Sequence, residues 1–443
     1  MRIDRSRNTV RYYILVVLFL AFLFFSNDFG LIDVQKTAIV TAAGIDREGD
    51  EFILTSQIAL PQSSQQGKST QAVQLVSRGK TISEAFEQIN VKTGWYPKLV
   101  FCKLILFGKK AAEENVFDAL DFFLLDEYLT DDCQVAVCEG LAKDMLDVSA
   151  LVDPTSSLAI EKVLSAHAER VGTVRPATLK DFAIGYFGEA HSGLLPVLKK
   201  EKQQESTPSA NSSESTSKDK TDSSASDSGS SGNSSGDSSK SSSERSSSES
   251  GQQSEQGGEQ GSGESQNSED KEKEKPVFSA KQTALFVDGR WKGILTPEET
   301  FAVNAAVGKL RLASYSVEYG GATCTLTVKH NDPKIRLTVG KEGNGRVKIS
   351  VTMTAGIVDY SKALDLKKLA DSGDVPDGIF AAAEKKLAAE LTSAYEKAKA
   401  VGCDVFGVKE RLIKYKNRKY HTQQDTLLNK TSLAVNVRFE NVR

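Results

Sequence analysis

Histidine is scarce in this chain of 443 residues, and the four present, His167, His191, His330 and His421, are scattered. None stands in an HExxH frame or beside paired carboxylates, which excludes the common zinc-hydrolase signatures. The five cysteines, Cys102, Cys133, Cys138, Cys324 and Cys403, form no CxxC and have no histidine at metal-ligand spacing. Cys133 and Cys138 fall in or beside one strand at odd separation, so they face opposite sides and read as buried free thiols rather than a disulfide. No Walker loop, GxGxxG or GxSxG is present, and Gly343-x-Gly345 lies in a hairpin without the helix that a phosphate site requires. A formal net charge of −3, with no basic stripe interleaved with aromatics, argues against a nucleic-acid partner. No residue pattern calls for a cofactor or a metal, and no catalytic set emerges.

Apolar residues make up 39% of the chain, slightly below the globular norm. One block accounts for most of the shortfall. Between Pro208 and Lys275 the chain is built from Ser, Gly, Glu and Lys, almost without aliphatic or aromatic side chains. Such a stretch cannot bury enough to offset its ordering entropy, so residues 201–276 are predicted to be a disordered linker. The length allows two or three domains. The flanks, 34–200 and 277–443, look ordinarily globular, the first as one or two domains. Beyond Lys281, Lys and Arg outnumber Asp and Glu, a charge asymmetry that suits solvated faces or an anionic surface.

The long apolar run is at the start. Arg2, Arg5, Arg7 and Arg11 precede Tyr12 to Phe25, which includes Leu15, Leu18 and Phe22. The run is shorter than the roughly 20 residues of a spanning helix, and its length also fits the h-region of a signal peptide. It ends in Phe24-Phe25-Ser26-Asn27-Asp28 with no small-x-small cleavage site, and it reads as an uncleaved anchor over 12–29. The arginines of residues 1–11 stay in the cytoplasm, so everything after the anchor lies on the outer face of the membrane.

Strands alternate with helices in the first half. Lys36–Ile45 and Phe52–Leu60 form a predicted hairpin across Asp46–Asp50, and Thr81-x-x-Glu84 has the form of a capping box that opens a helix through Ile89. A strand over Leu99–Phe107, a helix over Lys110–Tyr128 and a strand over Gln134–Cys138 follow, with Thr130-Asp131-Asp132 as turn formers. Helices are predicted over Ser157–Arg170 and Thr178–Tyr186, before the apolar run Leu194–Leu198. In the second half, Thr283–Val287 and Trp291–Leu295 pair across Asp288-Gly289. Thr296 then caps a helix with Pro297 at its first position and Glu298 and Glu299 in its first turn. Val317–Tyr319, Cys324–Val328, Ile335–Val339 and Val347–Met353 make a twisted antiparallel sheet. A stripe of Ile379, Phe380, Ala383, Leu387, Leu391 and Tyr395 marks a long helix ending near Gly402, and Leu433–Phe439 is a last alternating strand. The fold class is α+β, with mixed or antiparallel sheets and packed helices in two halves.

Several local phrases resemble the Ger(x)C family, the C subunits of spore germinant receptors. Ala43-Gly44-Ile45-Asp46 is similar to the family's opening Gly-Ile-Asp turn, and Gly79-Lys80-Thr81 to its helix start. Lys103–Gly108 and Asp118–Phe123 resemble its strand and helix. Ala284–Thr300, with Gly293 and Glu299, is the most specific stretch, and Cys403-Asp404-Val405-Phe406-Gly407 follows the long helix as the family's Asp-x-Phe-Gly motif does. These are structural signatures. Family members carry a lipobox cysteine, whereas the first cysteine here is Cys102, so the apolar segment stands in for the lipid. The resemblance implies a non-enzymatic subunit at the spore inner membrane, assembled with multi-pass A and B subunits in nutrient-triggered germination. An extracytoplasmic binding module for a small ligand or a cell-wall polymer is the second reading, and a cryptic envelope hydrolase the third.

Overall fold

The computed structural model describes residues 3–26, 37–59, 72–148, 153, 155–165, 167–201, 277–340, 344–361, 374–423 and 428–442. The Ser-rich block, positions 27–29 of the expected anchor, the side chain of Phe25 and Gly343 lie outside them.

The apolar N-terminal segment is helix α1, Ile3–Ser26. Tyr12, Leu15, Leu18 and Phe22 are all exposed on it. Among the described residues no helix is long and apolar enough to cross a membrane. The described side chains of α1 cover only Val10–Phe22, about 20 Å of helical rise.

The first sheet has the order β3-β2-β1-β5-β6-β7-β8-β9, with β4 also paired to β1. Its strands are β1 Thr37–Glu48, β2 Glu51–Ala59, β3 Ala72–Gly79, β4 Tyr96–Lys98, β5 Leu104–Phe107, β6 Gln134–Cys138, β7 Ser192–Glu201, β8 Val277–Val287 and β9 Arg290–Leu295. The β1–β2 hairpin turns at Gly49 and Asp50, so Asp46 belongs to the strand rather than to the turn. β1, β4, β5 and β6 run parallel, and β7 continues this direction beside β6. Leu-Ile-Leu-Phe in β5 and Val-Ala-Val-Cys in β6 are unbroken apolar runs because both faces of this sheet are buried. Ile105, Phe107, Val135 and Val137 face helices α2 Ile82–Thr93, α4 Phe117–Leu125 and α8 Leu179–Phe187. Leu104, Leu106, Ala136 and Cys138 face α5 Ala142–Leu146, α6 Ser156–Leu164 and α7 His167–Val171. Cys133 and Cys138 therefore lie in different cores, and all five cysteines are buried and free.

Several predicted elements are shorter than expected. Leu99–Cys102 is a turn, closed by the Cys102 amide donating to the Leu99 carbonyl at 2.8 Å, and the strand begins only at Leu104. The helix expected over Lys110–Tyr128 is two, α3 Lys109–Glu114 and α4. Asn115 breaks it by accepting the Phe117 amide on its own side chain at 3.1 Å, and the Val116 amide turns outward to the Gly289 carbonyl. The helix expected over Ser157–Arg170 is likewise interrupted between α6 and α7. At Thr81 the box is offset. Its hydroxyl accepts the Glu84 amide, but the Glu84 carboxylate takes the amide of Lys80 instead of that of Thr81.

The second sheet, β10-β11-β12-β13, comprises β10 Ala313–Tyr319, β11 Ala322–Val339, β12 Gly345–Tyr360 and β13 Thr431–Asn441. The predicted segments Cys324–Val328 and Ile335–Val339 are one strand, bulged between Val328 and His330. β13 runs parallel to β12, so this sheet is mixed and not wholly antiparallel. The return path carries α10, Asp377–Val401, and α11, Val408–Gln423. Ile379, Phe380, Ala383, Leu387, Leu391 and Tyr395 are all buried in the core that this sheet shares with α9, Pro297–Ala306.

Candidate functional site: a cleft at the Asp-x-Phe-Gly turn

Two buried carboxylates start two helices. Asp46, at 3% exposure, accepts the amides of Ala142 at 2.8 Å and Lys143 at 3.1 Å, the first donors of α5. Asp404 takes the amides of Val408 and Lys409 at the start of α11, both at 2.8 Å. Burial pushes both carboxyls above the ordinary Asp value, and the amide donors oppose it. At Gly44, two residues before Asp46, a Cβ would meet the side chains of Leu146 at 3.0 Å and Ala142 at 3.2 Å, so the glycine lets α5 pack close on β1.

Glu299 is a third buried carboxylate. It completes a true capping box with Thr296, whose amide reaches it at 2.9 Å. It also accepts Ser393 at 2.6 Å and Lys397 at 2.8 Å, tying α9 to α10. Burial alone would raise its pKa, yet the donors, Lys397 foremost, leave it below the ordinary value. The other motif positions take packing roles. Phe406 is buried and stacks on Tyr395, Gly293 on β9 lies against Val401, Gly79 ends β3 where α2 begins, and Thr81 caps α2. Gly407 has φ +63°, the left-handed geometry that lets the chain reverse into α11.

Asp404 and Gly407 line a cleft of about 590 Å³, bounded on its other side by the 175–178 segment, α8 and the start of β7. The amide of Asp404 donates to the Ser192 hydroxyl at 3.0 Å and fixes the two walls together. Arg175 lines the cleft and donates to Asn304 Oδ1 at 3.1 Å, while the amide nitrogen of buried Asn304 holds the Gly172 and Val174 carbonyls. Burial pulls the Arg175 guanidinium below its usual value, and the charge of Asp181 opposes this. Lys309 and Glu410 add one charge of each sign to the lining. Burial pushes the Cys403 thiol up to about 12, which leaves it protonated and weakly nucleophilic at neutral pH. The arrangement suits holding a small polar molecule by charge and hydrogen bonds better than attacking it. Among the described residues no group of three His, Cys, Asp or Glu side chains could hold a metal ion.

Reasoning from sequence reached Asp404 and Gly407 but passed over Ser192, Arg175 and Asn304. Their partners lie 129 or more residues away along the chain, so no local pattern announces them.

The comparisons with known proteins cover both flanks of the Ser-rich block. A family model described as "Spore germination protein N-terminal domain" matches residues 31–200, and one described as "Spore germination B3/ GerAC like, C-terminal" matches residues 281–441. The chain belongs to the Ger(x)C family. Spore germination protein B3 of Bacillus subtilis (strain 168) is 28% identical over 178 residues, 38% of this chain and 46% of that protein. The match thus spans about half the length of this curated relative. Among solved structures, the crystal structure of the GerBC protein is similar over 90% of this chain and 97% of that one, at 15% identity and a TM-score of 0.48. The Ger(x)C motif residues singled out in sequence are here helix caps and close-packing positions, and of them Asp404 and Gly407 line the cleft.

Proposed function

We propose that this chain is a non-enzymatic C-type subunit of a spore germinant receptor, acting in nutrient-triggered germination. In this reading α1 anchors it in the inner spore membrane, with the N-terminus cytoplasmic and the folded bulk on the outer face. It assembles there with multi-pass A and B subunits and requires neither cofactor nor nucleic acid. The observation that supports it most is the pair of family matches, which flank the Ser-rich block and cover both folded halves. The cleft adds to it, because its one thiol is held protonated, Arg175 is engaged with Asn304 and Asp404 with the start of α11.

Co-purification tests the assembly. The tagged chain, extracted from spore membranes in mild detergent, brings down two multi-pass subunits, and spores lacking it lose the response to at least one nutrient. Spores of the deletion strain that respond normally to every nutrient, together with an absence of multi-pass partners, would end this reading.

The charged cleft favours a second reading, a binding module for a small ligand or a cell-wall polymer. Arg175→Ala then weakens capture of the ligand by the detergent-solubilised full chain, with no multi-pass subunit present. Retention of a nutrient or wall fragment only when the A and B subunits are bound decides for the receptor.

A further inference from the structure

Six large apolar side chains are exposed on two loops, and on the elements that border them, at one end of the first sheet: Trp95, Tyr96 of β4, Val100 and Phe101 before β5, and Leu125, the last residue of α4, and Tyr128 before β6. Because β1, β4, β5 and β6 are parallel, both loops emerge at the end where these strands start. The loops are held in place. The Trp95 amide donates to Thr93 Oγ1 at 3.1 Å, Asp126 accepts the Tyr128 and Leu129 amides at 2.9 Å, and Lys98 sits 4.4 Å from the centre of the Tyr128 ring. Leu125 is 82% exposed and Phe101 57%, so neither contributes to a core. Single exposed apolar residues are commonplace, but six on and beside two adjoining fixed loops form a patch.

Chain length identifies what covers it. Thr37, the first residue of β1, pairs with Tyr96 inside the patch. Residues 27–36 connect Thr37 to Ser26, the end of α1, and they reach at most about 40 Å when fully extended. If α1 is the anchor proposed above, on which this inference rests, the patch is kept close to the surface from which the anchor emerges. Its chemistry matches that surface: Trp and Tyr combine an apolar ring with a polar edge and concentrate at the headgroup boundary. The rim carries both signs, Lys98 and the Lys103–Asp132 pair at 3.3 Å, so seating does not depend on anionic lipid.

We propose that these two loops rest in the headgroup layer of the lipid bilayer, so that the body lies against the membrane instead of swinging on its tether.

The chain has two tryptophans, and they report on different places. Trp95 is in the patch, whereas Trp291 is on the edge strand β9, three strands along the sheet from β6, with its indole N–H bonded to the Gly293 carbonyl at 2.8 Å. The full chain and its Trp95→Phe variant are reconstituted into phosphatidylcholine vesicles with and without brominated acyl chains. Co-flotation and tryptophan emission are then measured. Retention on the vesicles, with about two-fold quenching of the emission that Trp95→Phe removes and little of what remains, supports the proposal. Retention with no quenching overturns the seating and leaves the anchor intact, and equal quenching of both tryptophans overturns it as well. Failure to float with the vesicles overturns the anchor and the seating together. Phe101→Asp and Leu125→Asp supply a second variant pair at exposed positions, and each is expected to lower the quenching of Trp95.

Discussion

The Asp404 amide is bonded to the hydroxyl of Ser192, 212 residues earlier, and that hydroxyl passes its own hydrogen to the Ala190 carbonyl at 2.8 Å. One small side chain thus satisfies two buried backbone groups and fixes the turn that opens α11 against the start of β7. Ser192→Ala leaves both without a partner. A loss of about 1–3 kcal/mol is expected, read from urea unfolding of the detergent-solubilised chain. Ser192→Thr keeps the hydroxyl, and with it most of the stability if the extra methyl is accommodated.

Glu299 joins a cap, a hydroxyl and an ammonium group, so its replacement is costlier than the loss of any one bond. Glu299→Ala removes the capping box and leaves Ser393 without its acceptor, for an expected loss of roughly 2–4 kcal/mol. Lys397→Met leaves the cap and the Ser393 bond in place but strips the cation from a buried carboxylate, for an expected loss of about 1.5–3 kcal/mol. Thermal unfolding of the two variants orders them. Equal losses would show that the Lys397 bond, rather than the cap and the Ser393 bond, carries the effect of Glu299.

Helix starts were largely legible, because they rest on local chemistry. Thr296-Pro297-Glu298-Glu299 carries its cap, its first-turn proline and its acidic residues within four positions. The stripe from Ile379 to Tyr395 needs only a period. What escaped is nonlocal. His330-Asn331-Asp332-Pro333 has the composition of a turn, yet it continues β11, because β10 stops pairing at Val328 and, among the described residues, no strand pairs with that edge beyond it. A proline without an amide donor costs nothing on such an edge. The parallel pairing of β13 depends on where α10 and α11 return the chain, and the cleft depends on Arg175 finding Asn304 from the other half. No window of sequence contains both members of these pairs.

Glu390 makes stability depend on pH in a sense opposite to Glu299. Burial raises its carboxyl from 4.5 to about 7, against the donated bond from Tyr315 at 3.0 Å and the charge of Lys386. The folded protein holds this proton more tightly than the unfolded chain. Its contribution is fully present below pH 4.5 and is lost as the pH rises towards about 7. Glu390→Gln keeps an acceptor for Tyr315 and has no proton to lose. The melting temperature of the variant relative to the parent should rise across that interval and level off above it. A difference that stays flat with pH would show that Glu390 titrates normally.

β7 and β8 are adjacent antiparallel strands whose pairing reaches Glu201 and Val277, the two residues that flank 202–276. A connection between ends that are already paired contributes to folding mainly through the entropy of closing it. For a flexible chain each halving in length returns about 0.6 kcal/mol, so replacing 202–276 by Asn-Gly would stabilise the fold by roughly 3 kcal/mol. The register across the new turn is the one already present, so β7 and β8 need not shift. Urea unfolding of the shortened and full-length proteins measures the gain. A shortened chain that is less stable would mean that the Ser-rich block packs on the sheet, and its role would then lie in the body of the protein rather than between its halves.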